Sequence, residues 1–192
     1  NHPNLIKLRN SKNSGKGSAM ILGLNQIKEN KDGIVIFCDS DLEISTNQIQ
    51  KLINAYQDDN ELQAVFGSRF LNSNNLRIFG FKFVINYFLT YLSNTIASNK
   101  LTDMETALKS FKTNLIKKMN LTSKGFDIEP EIVFKLSKLK IQIKEVPIDY
   151  KPRRKSDGKK MSIKGGLVTL KALIKFSLKK WIIFFQLSVK IN

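Results

Sequence analysis

The stretch Ile34-Val35-Ile36-Phe37-Cys38 constrains this chain more than any other part of it. Five apolar residues stand in a row after the turn signal Lys31-Asp32-Gly33 and stop abruptly at Asp39-Ser40-Asp41. A short, bounded, β-branched run without polar alternation is the pattern of a strand buried on both faces. Such a strand needs sheet neighbours beside it and helices covering it. The flanking sequence predicts both. Behind the polar loop 10–17, Ala19, Ile21, Leu22, Leu24 and Ile27 fall at helical spacings, and Ser45-Thr46 followed by Ile49, Leu52, Ile53 and Tyr56 reads as a capped amphipathic helix. Gln63 to Phe66 reads as a second strand, leading into Gly67-Ser68-Arg69-Phe70. The alternation is that of an α/β domain with a mostly parallel sheet, in which ligands bind at the carboxyl ends of strands. Asp39, Asp41 and Arg69 stand at such ends.

With 192 residues, 42% of them hydrophobic, the chain can bury one sizeable core. Its 32 Lys and Arg against 16 Asp and Glu give a formal charge of +16, a field that attracts nucleic acid, anionic lipid headgroups or phosphorylated small molecules. Much of that charge sits in the loop Lys151 to Lys160 and in a lysine-bearing apolar tail, and no nucleic-acid motif occurs, which argues against a nucleic-acid-binding module. A single cysteine excludes an internal disulfide framework and a cysteine zinc cluster, and fits a reducing compartment. His2 and Cys38 each lack a like partner and read as structural. The opening Asn1-His2-Pro3, in place of a methionine, leads to the expectation of an upstream segment.

Two carboxylates two residues apart in an extended segment project to the same side, so Asp39 and Asp41 can share one divalent cation. Hard oxygen ligands suit Mg2+ or Mn2+, whose shell is completed by water and phosphate oxygens; a solvated turn or helix cap is the plainer alternative. The planar fork of Arg69 can grip phosphate oxygens in pairs, or form a surface ion pair. Asp103 precedes a run ending at Phe111 and also reads as a helix N-cap. Glu129 and Glu131 flank Pro130 at a helix start, where carboxylates gain from the dipole. The loop residues Arg153, Arg154, Lys155, Lys159 and Lys160 are either a solvated basic loop or a clamp for a polyanion. Gly15-Lys16-Gly17 does not meet the P-loop order and reads as a tight turn into a helix.

Two segments raise the question of a membrane. Leu76 to Ala97 carries only Arg77 and Lys82 as charges and is either core or membrane-facing. From Gly166 to Ile191, Lys171, Lys175 and Lys179 share one helical face, while the run Trp181 to Phe185 is far shorter than the roughly 20 residues of a spanning helix. An interfacial helix with Trp181, Phe184 and Phe185 in the acyl boundary is expected, the alternative being a helix packed on its own domain.

The ordered set NSGKGSA, IVIFCDSDLE, VFGSRF, LTDMETALKSF, FDIEPEI, EVPIDY and GKKMSIKGG resembles the dolichyl-phosphate mannose synthase-like branch of glycosyltransferase family two. The resemblance runs across essentially the whole chain but lacks the family's first strand and first βα unit. It implies a GT-A-like nucleotide-sugar fold, with a mixed, mostly parallel sheet covered by helices, over residues 1–164, and an amphipathic C-terminal helix over 165–192. It implies Asp39, Asp41 and Glu43 at the metal, with Asp41, Arg69 and Asp103 catalytic. Asp39, Glu43, Arg69, Glu105, Glu129, Glu131, Arg153, Lys159 and Lys160 are implied to bind substrate. The activity implied is inverting transfer of a hexose from a GDP-mannose or UDP-glucose type donor to a polyprenyl or dolichyl phosphate, at the cytoplasmic face of a membrane. Alternatives are transfer to a saccharide or glycolipid hydroxyl, with Asp103 as base, or an inactive membrane-associated fragment.

Overall fold

The computed structural model describes residues 4–27, 32–78, 81–153 and 163–189. Helix α1 (Lys16–Leu24) precedes β1 (Ile34–Phe37), α2 (Asn47–Asp58) and β2 (Ala64–Ser68); a 3-10 turn over Ser73–Ile78 leads into α3 (Phe81–Ala97). Then follow β3 (Lys109–Lys112), α4 (Thr113–Lys118), α5 (Ile128–Lys138), β4 (Ile143–Pro147) and α6 (Ile163–Val189).

The strands form one sheet in the order β1-β3-β2-β4. β3 runs antiparallel to both β1 and β2, and β4 runs parallel to β2, so three of the four strands share a direction and β3 is threaded between them. The α/β class stands, with the mixed sheet that the resemblance implies. The alternative reading of Asp103 as a helix N-cap before the run ending at Phe111 does not hold, because Lys109–Lys112 is a strand, buried at its first three positions.

Side-chain alternation along the strands builds two cores. Ala64 and Phe66 face a cluster with Met20, Leu24, Leu89, Ile128, Ile132 and Leu173, contributed by α1, α3, α5 and α6. Val65 faces the opposite side, where Leu52, Ala55 and Tyr56 of α2 pack with Leu108 and Ile148. The sheet is thus covered on both faces. β2 is fully buried, as an uninterrupted apolar strand should be, but β1 is half buried throughout. The reason is position: among the described residues β1 has a strand, β3, on one side only.

Close approach dictates two glycines. A Cβ on Gly67 would lie 2.8 Å from Ile148 Cγ2, where β2 and β4 pack, and one on Gly17 would lie 2.2 Å from the Ser123 carbonyl. The start of α1 is pressed onto the 123–125 loop, with Ser18 N donating to Lys124 O at 2.9 Å.

Helix α6 packs on α3 and α5 through buried Thr169, Ala172 and Leu173 and the stacked rings of Phe134 and Phe176. One side of the helix is thus packed on its own domain, while Lys171 and Lys175 are exposed together with Leu167, Val168, Ile174 and Leu178. The side chains of Lys179, Trp181, Phe184 and Phe185 lie outside the described residues, as do His2, Arg154, Lys155, Lys159 and Lys160. Among the described residues no helix is long and apolar enough to cross a membrane. α3 is buried along one side and exposed along another. Leu89 and Ser93 are buried, while Val84, Tyr87, Phe88 and Tyr91, spaced as one helical stripe, are 53 to 65% exposed.

Candidate active site

The carboxyl ends of β1 and β2 open onto one cleft, lined by Lys16, Asp39, Asp41, Glu43, Arg69, Glu105, Phe126, Glu129 and Tyr150 among others. Six of the residues singled out from sequence, Asp39, Asp41, Glu43, Arg69, Glu105 and Glu129, thus meet from four chain segments. The chain leaves β1 at Phe37, and Asp41 lies in a turn, not in the extended segment that the two-residue spacing suggests. Leu42, 84% exposed, adopts φ 62° there, an uncommon conformation for a bulky side chain and of the kind found at functional turns. It folds the turn back so that Glu43 N donates to Asp41 Oδ1 at 3.1 Å.

The three acids expected at a metal are not equivalent. Asp39 and Asp41 have side chains 42% and 28% exposed, whereas Glu43 is 12% exposed and already engaged. Its Oε2 accepts from the Tyr150 hydroxyl at 2.9 Å and its Oε1 from the Arg153 backbone N–H at 3.1 Å. Among the described residues no group of three His, Cys, Asp or Glu is arranged to hold a metal. The predicted trio is accordingly brought to one cleft but not into one coordination shell. What remains is a pair of accessible carboxylates, which fits Mg2+ or Mn2+ when water and phosphate oxygens complete the shell.

Each of these acids is paired with a cation of the chain. Lys16 Nζ lies 3.3 Å from Asp39 and 2.9 Å from Glu129, and the Arg153 guanidinium lies 3.0 Å from Asp41 and 3.6 Å from Glu43. Glu129, 2% exposed, also pairs with the buried Lys109 ammonium. Burial opposes its ionisation, but Lys109 and Lys16 hold its carboxyl down at about 2. Burial likewise opposes the charge on Lys16, and Glu129 and Asp39 more than offset it, so that its pKa is raised.

Arg69 and Asp103 form the second feature. Asp103 is fully buried and accepts from Arg69 Nε at 2.7 Å, a terminal guanidinium nitrogen at 2.7 Å, the Arg69 backbone N–H at 3.1 Å and Asn86 Nδ2 at 3.1 Å. Burial would raise its pKa, yet the charge and hydrogen bonds of Arg69 hold it low. The pair is a bidentate fork, not a surface contact, and Arg69 also lies over the Tyr150 ring, 5.3 Å from its centroid. Glu145 fixes the segment from behind, accepting from Thr102 N at 2.8 Å and Asp103 N at 3.1 Å. Asp103 does not line the cleft.

Glu105 does line it. Burial, then the neighbouring Glu129 charge, pushes its carboxyl up to about 7, and its Oε1 has no hydrogen-bond partner among the described residues. Glu131, expected beside Glu129, points elsewhere: it accepts from Thr122 N at 3.0 Å and Ser123 N at 2.8 Å, pinning the loop that carries α1. Cys38 is exposed beside Asp39, and its thiol pKa is raised by burial and the two aspartates, which suits no nucleophile.

Sequence reasoning missed Lys16, Lys109 and Tyr150. Lys16 was hidden in a failed P-loop pattern. Lys109 had a signal, a charge set between Leu108 and Phe111 in an otherwise apolar stretch, which demands a buried counter-ion. Tyr150 closes the EVPIDY stretch, which carries the resemblance without assigning this residue a role.

Comparison with solved structures finds glucosyl-3-phosphoglycerate synthase from Mycobacterium tuberculosis. In complex with uridine diphosphate it superposes with a TM-score of 0.62 at 14% identity, over 90% of this chain and 57% of that one. The same enzyme with Mn2+ and UDP-glucose gives a TM-score of 0.59 at 15% identity, over 90% and 56%. With Mn2+, UDP-glucose and glycerol 3-phosphate it gives 0.59 at 14%, over 90% and 57%. The likeness is one of fold, and the chain spans a little over half the length of these structures. A comparison with curated proteins finds no match. The sequence profile of Glycosyl transferase family 2 matches residues 1–118, more than half of the chain, and the chain belongs to that family.

Proposed function

We propose that this chain carries the metal, diphosphate and acceptor-phosphate part of a hexosyltransferase that moves a sugar from a nucleotide donor to a phosphate-bearing acceptor. The acceptor we favour is a polyprenyl phosphate presented at a membrane surface. One observation carries the reading: accessible Asp39 and Asp41 share a cleft with Arg69, whose guanidinium is fixed from behind by Asp103.

The cleft holds about 120 Å³, enough for a metal and phosphate groups but small for a whole nucleotide sugar. A second cleft of about 490 Å³ adjoins it between α1 and β1 and shares Lys16 and Asp39 as its wall. Its apolar lining, including Met20, Leu24, Val35 and Phe37, suits the nucleoside. A bound Mg2+ or Mn2+ would neutralise charge on the departing diphosphate. Asp39 and Asp41 are the residues to hold it. Arg69 has five N–H donors, of which two are committed to Asp103, leaving three for phosphate oxygens. Asp103 therefore acts as a positioning residue. An acceptor phosphate is already an anion near neutral pH and needs no base: its oxygen forms the new bond to the anomeric carbon while the bond from that carbon to the diphosphate oxygen breaks, with inversion. Glu105 also lines the cleft, although its unpartnered Oε1 is buried away from solvent.

The lipid acceptor is supported by the exposed stripe Val84, Tyr87, Phe88 and Tyr91 on α3. Tyr87 also packs near Phe70, next to Arg69, which sets the stripe beside the cleft. The net charge of +16 would favour an anionic bilayer. A second reading, a small phosphorylated acceptor, is favoured by the glycerol 3-phosphate held by the fold neighbour. An acceptor screen with Mn2+ and radiolabelled UDP-glucose or GDP-mannose separates them. Transfer to polyprenyl phosphate in anionic vesicles supports the first reading, transfer to 3-phosphoglycerate alone supports the second, and transfer only to hydroxyl acceptors refutes both.

A further inference from the structure

We infer that Arg153 is a resident counter-cation of the metal site, displaced when the divalent ion binds and thereby released to a phosphate only in the metal-loaded protein. The inference rests on the proposal that Asp39 and Asp41 hold a metal.

The Arg153 guanidinium straddles two carboxylates at the mouth of the cleft, 3.0 Å from Asp41 Oδ2 and 3.6 Å from Glu43 Oε1. A divalent ion on Asp41 competes for Oδ2, because Oδ1 already accepts from Glu43 N, and two cations cannot occupy one carboxylate edge without strong repulsion. One of them must yield. The Arg153 and Asp41 side chains are 38% and 28% exposed, so solvent screens this pair and it is easily exchanged. The Arg69–Asp103 fork, at 15% and 0%, is not exchangeable in the same way. Nor is Lys16, the cation on Asp39, because it is also tied to buried Glu129.

Displacement does not carry Arg153 far away. Lys151 N donates to the Glu43 carbonyl at 2.8 Å, and the Tyr150 hydroxyl donates to Glu43 Oε2 at 2.9 Å. These bonds fasten the segment beside the cleft whether or not the guanidinium is seated. Once unseated, the guanidinium regains its full set of donors within reach of the metal-bound phosphates. Metal and phosphate binding are thereby coupled through one side chain, and the coupling is reciprocal.

The test is Mn2+ binding to the protein, followed by the paramagnetic signal of free Mn2+, for wild type, Arg153→Gln and Lys151→Gln. The lysine variant removes one nearby charge without touching Asp41, so it reports the general field. Circular dichroism checks that each variant is folded. Removal of an exposed competing pair should tighten Mn2+ binding about two- to fivefold in Arg153→Gln, against less than about twofold in Lys151→Gln. Inorganic phosphate then serves as the probe of coupling: saturating Mn2+ should raise phosphate affinity more in wild type than in Arg153→Gln. Equal Mn2+ affinities in the two variants, or equal gains in phosphate affinity in wild type and Arg153→Gln, overturn the inference while leaving the metal site intact. Failure of every form to bind Mn2+ overturns the metal site itself, and the inference with it.

Discussion

Replacing Asp103 by asparagine separates a positioning carboxylate from a catalytic base. Asparagine keeps the volume but replaces one acceptor oxygen by an NH2 group, which meets a donor of Arg69 or Asn86 head-on. Arg69 is then left 15% exposed with an uncompensated charge. Breaking one partner of a buried ion pair costs about 3 to 5 kcal/mol. With a urea slope of roughly 2 kcal/mol per molar, the midpoint of unfolding should fall by about 2 M. Arg69→Gln should abolish phosphate binding, and Asp103→Asn should weaken it in parallel, because the fork that orients the guanidinium is gone. Joint replacement, Asp103→Leu with Arg69→Met, should regain much of the stability but none of the binding, since an apolar pair leaves no buried charge unpaired. The measurements are urea denaturation and calorimetric titration with inorganic phosphate. The reasoning is refuted if Asp103→Asn unfolds within about 1 kcal/mol of wild type and binds phosphate normally, yet loses turnover with a hydroxyl acceptor.

Glu105 makes stability fall with rising pH. Its carboxyl, at about 7 when folded against an ordinary 4.5, binds a proton more tightly in the folded state. Its stabilising contribution is therefore full below pH 4.5 and lost as pH rises through 7, a span worth at most roughly 3 kcal/mol. Glu105→Gln should be more stable than wild type at pH 8 and about equal at pH 4; thermal unfolding at the two pH values checks this, and an unchanged pH profile would discount the shift. Gly17→Ala places a methyl 2.2 Å from the Ser123 carbonyl and 3.0 Å from two further backbone carbons. Backbone must move, so a loss of about 1 to 3 kcal/mol in urea unfolding is expected, in contrast to Gly23→Ala, whose added Cβ meets nothing within 4 Å and which should be stabilising by up to about 1 kcal/mol as a helical Gly→Ala change.

The sequence disclosed the α/β class, the strand leading to Asp39 and the convergence of Asp39, Asp41 and Arg69, because local apolar pattern and strand-end placement act within a few residues. It did not disclose β3. Lys109–Lys112 pairs with residues some 45 and 75 positions away, and that pairing, not local propensity, makes it a strand. The role of Asp103 was legible as an acid but not as the partner of Arg69, 34 residues distant. Lys16 and Glu129, 113 positions apart, share a bond that no spacing rule anticipates, and Glu131 parts from Glu129 because residues two apart lie on nearly opposite faces of a helix. Glu43 was assigned to the metal by its place beside the two aspartates, and the segment that occupies its carboxylate arrives only after β4.

The central claim, that Asp41 with Asp39 holds the metal end of a donor site, is tested most directly by calorimetric titration of UDP-glucose into wild type and Asp41→Asn with and without Mn2+. The account predicts that Mn2+ strengthens binding to wild type and that Asp41→Asn loses this gain, weakening the Mn2+-dependent affinity by about tenfold or more. An Asp41→Asn variant that binds UDP-glucose with undiminished Mn2+ dependence would contradict it.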